Sequence, residues 1–204
     1  EFKVRRIVNA GYTGRDSESV KAHIAELEKE GVAPPPTVPM IFPVLSHNIT
    51  TDNRIEVGSP KTSGEVEFVL LIQDDDIFVG VGSDHTDRDL ERYSIPCSKQ
   101  ICQNVLAPTV WRYEDIRDRW DDLIMQSWTR EAVDGQELLY QKSQLSAIMG
   151  PEALMEFIRS NTLDGDLNGT VIYSGTVSAL TPEIIYGSNF RYELIDELNN
   201  NMIT

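Results

Sequence analysis

Cysteine is scarce in this sequence and builds nothing. Cys97 and Cys102 are the only two in 204 residues. Their C-x4-C spacing has no second Cys or His pair to complete four zinc ligands, and it is no disulfide framework. Two reduced thiols in a cytosolic protein are therefore expected. Long apolar runs are missing too, since no segment approaches the ~18 apolar residues of a membrane span. The opening EFKVRRIVNAGYTG lacks the apolar core of a signal peptide. It also begins without Met, which fits a trimmed or incomplete N-terminus. Positive charge is in short supply, with 18 Lys and Arg against 33 Asp and Glu, a net charge of −15 and a pI near 4.5. Nucleic acid and anionic membrane surfaces would both repel such a chain. Neither is expected as a partner, and the expected location is cytoplasmic. Internal repeats and low-complexity segments are absent as well.

What is present is an ordinary globular mixture, 40% hydrophobic and 25% charged. A chain of this length can bury roughly 70% of its unfolded surface and needs no staples. Residues 3–9 read as a strand broken by Gly11 and Gly14. Asp16 can cap a helix over Ser17–Glu30 that stops at Gly31, with Val20, Ile24 and Leu27 as its apolar stripe. The run VAPPPTVPMIFP must be extended. Strands follow at 65–72 and 76–82 around Asp74-Asp75, a hairpin signal, and a short helix is predicted over 111–120. A second hairpin is expected from 123–130 and 137–141 around Asp134-Gly135. Pro151 opens a helix through Ser160, 163–166 turns, 169–176 is a strand, and 177–204 is a mixed, polar tail. The fold class is α+β, rich in strands, with about three helices.

The chemistry concentrates in carboxylates. Glu65 and Glu67 stand two apart on a predicted strand, so both project from one face. If Asp74-Asp75 is a two-residue turn, Gln73 pairs with Asp76, paired positions sum to a constant, and Asp84 falls opposite Glu65. Cross-strand partners share a face, so three carboxylates converge. Like charges ~4 Å apart repel by roughly 4 kcal/mol per pair at an effective dielectric near 20, a repulsion that a cation removes. Oxygen-only ligands select Mg²⁺, Mn²⁺ or Ca²⁺ over zinc. On spacing alone, the solvated face of an alternating strand is the commoner explanation. His23 and Glu26, three apart on the predicted helix, are neighbours. A Glu accepting from one ring nitrogen would leave the other free to act as a base, although a solvent-side pair is again commoner. Lys99 by itself carries no signal.

Taken in order, the segments resemble the fumarylacetoacetate hydrolase (FAH) superfamily. GYTGRDSESVKAHIAEL (11–27), followed by P-x-x-P-M-I-F, resembles its G-x-N-Y-x-x-H-x-x-E segment and Pro-Phe sequel. SGEVEFVLLI resembles its E-x-E-L strand, and GSDHTDRDLE its N-D-x-T-A-R-D segment. Ser98-Lys99 falls where the family has G-K-S, and NTLDGDLNGTVIYSGT resembles T-L-x-x-G-D-x-I-x-T-G-T. Some features depart from the pattern. The interval from the early Tyr to His23 is longer, the insert before the metal Asp shrinks to QDDD, Ser63-Gly64 precedes the E-x-E segment, and the G-K-S glycine is Ser98.

The resemblance implies a β-rich roll or sandwich of mixed sheets, of the FAH C-terminal-domain type, with a few peripheral helices. It implies a single catalytic domain over 1–204, with a lid segment at 1–50 that includes a helix ordering on binding, a β-rich core at 55–180 and a tail at 181–204. Glu65, Glu67 and Asp84 would hold Mg²⁺ or Mn²⁺, with Ca²⁺ also compatible. His23, oriented by Glu26, would activate water, and Lys99 and Thr176 would bind a developing oxyanion or carboxylate. Arg88, Gly175 and Thr176 would line the substrate site, with Arg88 pairing with a substrate carboxylate or bracing Asp84 or Asp89. The expected activity is metal-dependent hydrolysis of a C–C bond beside a carbonyl in a small 2-oxo acid or acylpyruvate. A decarboxylase, isomerase or hydratase on the same site is the alternative, and a non-catalytic carboxylate- or metal-binding protein is a further one. A homodimer is expected, and Trp111, Trp120 and Trp128 are compatible with its interface, although buried tryptophans are the commoner case.

Overall fold

The structure, a computed structural model, describes residues 2–29, 33–132 and 134–204; in the first helix the side chains of His23, Glu26, Leu27 and Lys29 lie outside the description. In chain order the elements are β1 (Arg6–Gly11), α1 (Ser17–Lys29), β2 (Met40–Val44), β3 (Ile49–Thr50), β4 (Thr62–Ser63), β5 (Val66–Gln73), β6 (Asp76–Asp84) and β7 (Thr86–Asp87). Then come α2 (Arg88–Glu91), α3 (Ile95–Ile101), β8 (Asn104–Leu106), β9 (Trp111–Arg112), β10 (Ile124–Arg130) and β11 (Leu138–Gln144). The chain ends with α4 (Pro151–Ser160), β12 (Thr170–Tyr173), β13 (Asn189–Asp196) and β14 (Asn201–Ile203). Strands dominate, and the helices are few and short. This is the α+β, β-rich class expected from the sequence.

The larger sheet runs β2-β1-β12-β5-β6-β8-β3, with β9 paired to β6, and a four-stranded sheet runs β11-β10-β13-β14. The β5–β6 hairpin sets the frame for the site. Its turn is Asp74-Asp75, Gln73 pairs with Asp76, and the register continues unbroken to Val66 opposite Ser83. Asp74 takes the left-handed conformation (φ 55°), which Asp tolerates better than most side chains. Asn168, just ahead of β12, braces the turn by accepting from the Asp74 amide and donating to its carboxylate.

Strand β5 is buried on both faces, which explains its nearly continuous apolar run. On one face Val66, Phe68, Leu70 and Ile72 join Met125 and Leu194 of the second sheet and Leu154 and Ile158 of α4. Trp120 meets Phe68 edge to face, with ring centroids 4.9 Å apart. On the other face Val69 and Leu71 pack with Ile7, Val44, Val171 and Tyr173. Glu67 shares this second face, so the alternation aims it into the interior.

The structure corrects three expectations. Residues 113–115 and 117–122 form short 3₁₀ turns after β9, rather than one helix. These turns bury Tyr113, Ile116 and Trp120, which 3₁₀ geometry can do as well as an α-helix. The tail contributes β13 and β14, and β13 is an interior strand of the second sheet. Residues before 50 are more than a lid segment, because β1 pairs with β12 and β2 within the main sheet. Of the tryptophans, Trp120 is buried, the commoner case, and the Arg191 guanidinium covers Trp128 at 3.7 Å. The helix cap holds as read, with Asp16 accepting from the Glu18 amide at 3.2 Å and the Ser19 hydroxyl. Gly31 lies outside the described residues.

Candidate metal centre

Glu65 precedes β5, Glu67 is its second residue, and Asp84 ends β6. The hairpin register brings them together, and the Asp84 amide donates to the Glu65 carbonyl at 3.1 Å. One carboxylate oxygen from each lies within 4.8 Å of the others. The solvated-face explanation fails on burial, because Glu67 is 1% exposed and Asp84 fully buried. Glu65 is only slightly more open.

Two short helices bring in the counter-charge. Asp87 caps α2 by accepting from the Leu90 amide, and Ser94 caps α3, whose first turn contains Pro96. From α3, Lys99 Nζ contacts Asp84 Oδ2 and lies 3.4 Å from Glu65 Oε2. From α2, Arg88 donates to Glu65 Oε1 (3.0 Å), to Glu91 (2.9 Å) and to the Ser63 hydroxyl (2.7 Å). Arg88 therefore braces Glu65 and Glu91, not Asp84 or Asp89, and three of its donors are spent before any substrate arrives.

The carboxylates are not electrostatically equivalent. Burial alone would push Glu65 up, but Arg88 and then Lys99 outweigh it and hold Glu65 at about 2. Burial, reinforced by the charge of Asp84, drives Glu67 well above the usual carboxylate range. Burial also raises Asp84, although Lys99 pulls the other way. Lys99 itself is raised, because Asp84 and Glu65 outweigh its desolvation. Asp84 Oδ1 is buried without a hydrogen bond of good geometry, although the Asn9 side chain acts on the Asp84 carboxyl as a donor. Three hard oxygen donors, all from buried or nearly buried carboxylates, fit a divalent metal ion of the oxygen-preferring kind.

The loop after β12 closes the site. The Gly175 amide donates to Glu67 Oε2 at 2.9 Å. Gly175 sits at φ +86°, and a Cβ there would strike the Thr13 hydroxyl and come within 3.1 Å of the Ala10 carbonyl. Only glycine suits the position. The Thr176 hydroxyl donates to the Val66 carbonyl (2.8 Å) and accepts from Gln141 Nε2 (2.8 Å). Its proton is thus spent on the protein, which differs from the substrate-binding role expected of it. Around these groups opens a cavity of about 690 Å³, lined by Tyr12, Ser19, Val20, Arg88, Lys99 and Thr176 among others.

Of the residues singled out by sequence, Glu65, Glu67, Asp84, Arg88, Lys99, Gly175 and Thr176 come together. The side chains of His23 and Glu26 lie outside the described residues. Sequence reading missed Glu91, Asn9, Asn104 and Gln141. Glu91 could have been found, since it stands three residues from Arg88 on one short helix. Asn9 accepts from Asn104 at 3.0 Å on the face of the sheet that carries the carboxylates, and no motif marks that pair.

Several solved structures share this β-rich α+β fold. A 2-keto-3-deoxy-D-arabinonate dehydratase complexed with magnesium and 2,5-dioxopentanoate superposes with a TM-score of 0.65 at 18% identity, covering 98% of this chain and 72% of that one. A 5-carboxymethyl-2-hydroxymuconate delta-isomerase from Mycobacterium smegmatis matches at 0.65 and 17%, covering 99% and 78%. A fumarylacetoacetate hydrolase from psychrophilic Exiguobacterium antarcticum matches at 0.65 and 18%, covering 96% and 72%. Curated proteins give no sequence match. Residues 10–204 match the family described as Protein of unknown function (DUF2848), and the chain belongs to that family. Among the described residues no helix is long and apolar enough to cross a membrane.

Proposed function

We propose that this chain is a divalent-metal-dependent enzyme that hydrolyses a C–C bond beside a carbonyl in a small 2-oxo acid or acylpyruvate. The observation that carries the reading is the charge imbalance of the buried cluster. Among the described residues, Lys99 and Arg88 are the cations set against Glu65, Glu67, Asp84 and Glu91, so four carboxylates against two cations leave two negative charges when all are ionised. That is the charge of one divalent ion. Bound there, Mg²⁺ or Mn²⁺ would supply Lewis acidity to the oxygens of a chelated 2-oxo carboxylate.

The chain's own residues do the rest. Arg88 keeps Glu65 ionised and aimed, and the Gly175 amide fixes Glu67. Lys99 still has donor capacity beyond Asp84 and Glu65 and would hold a substrate oxygen. His23, oriented by Glu26, would take the proton from water, a role that rests on their spacing in α1. The competing reading is an isomerase, decarboxylase or hydratase on the same site, which needs no such base. It draws on the named activities of two of the fold neighbours, a dehydratase and an isomerase.

The test is turnover of acylpyruvates, oxaloacetate and an unsaturated 2-oxo acid with Mn²⁺, Mg²⁺ or chelator, alongside Glu67→Ala and His23→Ala. Chelator-sensitive activity lost in Glu67→Ala is the expected result, and activity unchanged in that variant refutes the metal assignment. A silent His23→Ala would transfer the reading to the second class.

A further inference from the structure

Gln141 carries none of the motifs and touches none of the three carboxylates, yet its side chain is the junction on which they depend. It lies on β11, in the second sheet, and is 3% exposed. Strands normally alternate inward and outward, but Tyr140 and Gln141 are buried in succession. The cause is an irregularity in register. Ser127 pairs with Gln141 while the next residue, Trp128, pairs with Leu139, so Tyr140 is the extra residue of a bulge. Bulges re-aim side chains beside functional sites, and this one turns Gln141 across to the main sheet.

The amide uses its full hydrogen-bonding capacity there. Its Oε1 accepts from the Val66 amide at 3.1 Å and from the Ser127 hydroxyl at 3.0 Å. Its Nε2 donates to Thr176 Oγ1 at 2.8 Å and to the Val177 carbonyl at 2.6 Å. Val66 is the residue between Glu65 and Glu67. Thr176 follows Gly175, whose amide holds Glu67. One amide therefore ties the strand that presents two carboxylates to the loop that orients the second of them. Glu lacks the two protons, Met lacks every polar atom, and Asn is too short to span the sheets.

We propose that Gln141 is a positioning residue for the metal site, acting through Val66 and Thr176. The inference rests on the metal reading above. Its test is Mn²⁺ affinity, measured by calorimetric titration or by electron paramagnetic resonance of free Mn²⁺. The proteins compared are wild type, Gln141→Met, and Ile158→Ala, a core deletion in α4 that serves as the stability control. Gln141→Met is expected to weaken Mn²⁺ binding by about ten-fold or more, the usual effect of removing an outer support. Ile158→Ala should lower the melting temperature and leave affinity within about two-fold. Equal affinity in Gln141→Met and wild type overturns the proposal, and so does an equal loss in the control. If wild type itself fails to bind Mn²⁺, the metal reading falls and takes this role with it, an outcome the wild-type titration alone identifies. If Gln141→Met does not fold, Gln141→Glu decides. It keeps both acceptor contacts and loses both donors to the loop, and unchanged affinity in that variant is equally fatal.

Discussion

Replacing Glu67 by Gln separates a metal-binding cluster from a merely structural one, because the two accounts predict opposite patterns. Gln has the same shape, and its carbonyl oxygen can accept the Gly175 amide that Glu67 Oε2 now accepts. Burial, and then Asp84, raise the Glu67 carboxyl well above its ordinary value of 4.5. A group raised in the folded state keeps its proton there after the unfolded chain has lost it. The metal-free protein is therefore penalised as pH climbs above 4.5, by about 1.4 kcal/mol for each pH unit over which only the folded form stays protonated. Glu67→Gln escapes that penalty, so without metal at pH 7 it should melt no lower than wild type. With metal the order reverses. Mn²⁺ at about one hundred times its dissociation constant stabilises wild type by about 2.7 kcal/mol, and a chain of this size gains roughly 2–4 °C per kcal/mol. Wild type should then rise by about 5–11 °C, while the variant barely moves. Differential scanning calorimetry with chelator and with Mn²⁺ reads both effects. A variant that melts lower without metal and still gains the full Mn²⁺ increment would refute the reasoning.

Two further perturbations test neighbouring parts of the argument. Arg88→Met strands Glu65 and Glu91 inside the cluster, and removing one partner of a buried ion pair is expected to cost about 3–5 kcal/mol. Urea unfolding of the metal-free protein measures it, and a loss below about 1 kcal/mol would show that the pair remains well solvated. His85 is pushed down to about 4, by burial first and then by Arg88, while its Nε2 meets the Thr62 hydroxyl at 3.0 Å. The unfolded chain binds that proton near 6.5, so wild type should lose stability as pH falls from 6.5 towards 4. His85→Gln should flatten that loss, and equal slopes in urea titrations at several pH values would exclude His85 as its source.

The parts of the site legible in the sequence are those fixed by local geometry. Two residues of turn and a period of two determine every pairing in the β5–β6 hairpin, so the convergence of Glu65, Glu67 and Asp84 followed from counting. Short elements were not legible. Helices α2 and α3 span four and seven residues, too few for a period to show, and they place Arg88 and Lys99. Spacing could not say which carboxylate Arg88 would choose. The stretch 111–120 was expected as one helix and is instead a short strand followed by 3₁₀ turns. β13 escaped notice because Tyr186-Gly187-Ser188 reads as a loop and its apolar residues are interleaved with Arg191 and Glu193. Its longer pairing lies far back in sequence, on β10, and β14 pairs with only three of its residues. Gln141 was invisible for a deeper reason, since its role depends on a bulge and on an inter-sheet contact that no local pattern encodes.

The same burial that hides the cluster from sequence reasoning is what gives it chemical meaning. A carboxylate on a wet strand is satisfied by water and tells nothing about a ligand. Asp84 has no such recourse, since it is fully buried with one oxygen against Lys99. The fold already spends both nearby cations, Arg88 on the outer oxygen of Glu65 and Lys99 between Glu65 and Asp84. Adding a third basic side chain would neutralise only one of the two remaining charges. Protonating Glu67 and Asp84, as their raised values allow in the metal-free state, removes the charge but wastes the oxygens as ligands. A divalent cation neutralises both charges and uses the oxygens, at the expense of releasing the protons. With a divalent ion bound, the cluster would thus carry the same net charge as with Glu67 and Asp84 protonated, and the cavity beside it would set what that ion could reach.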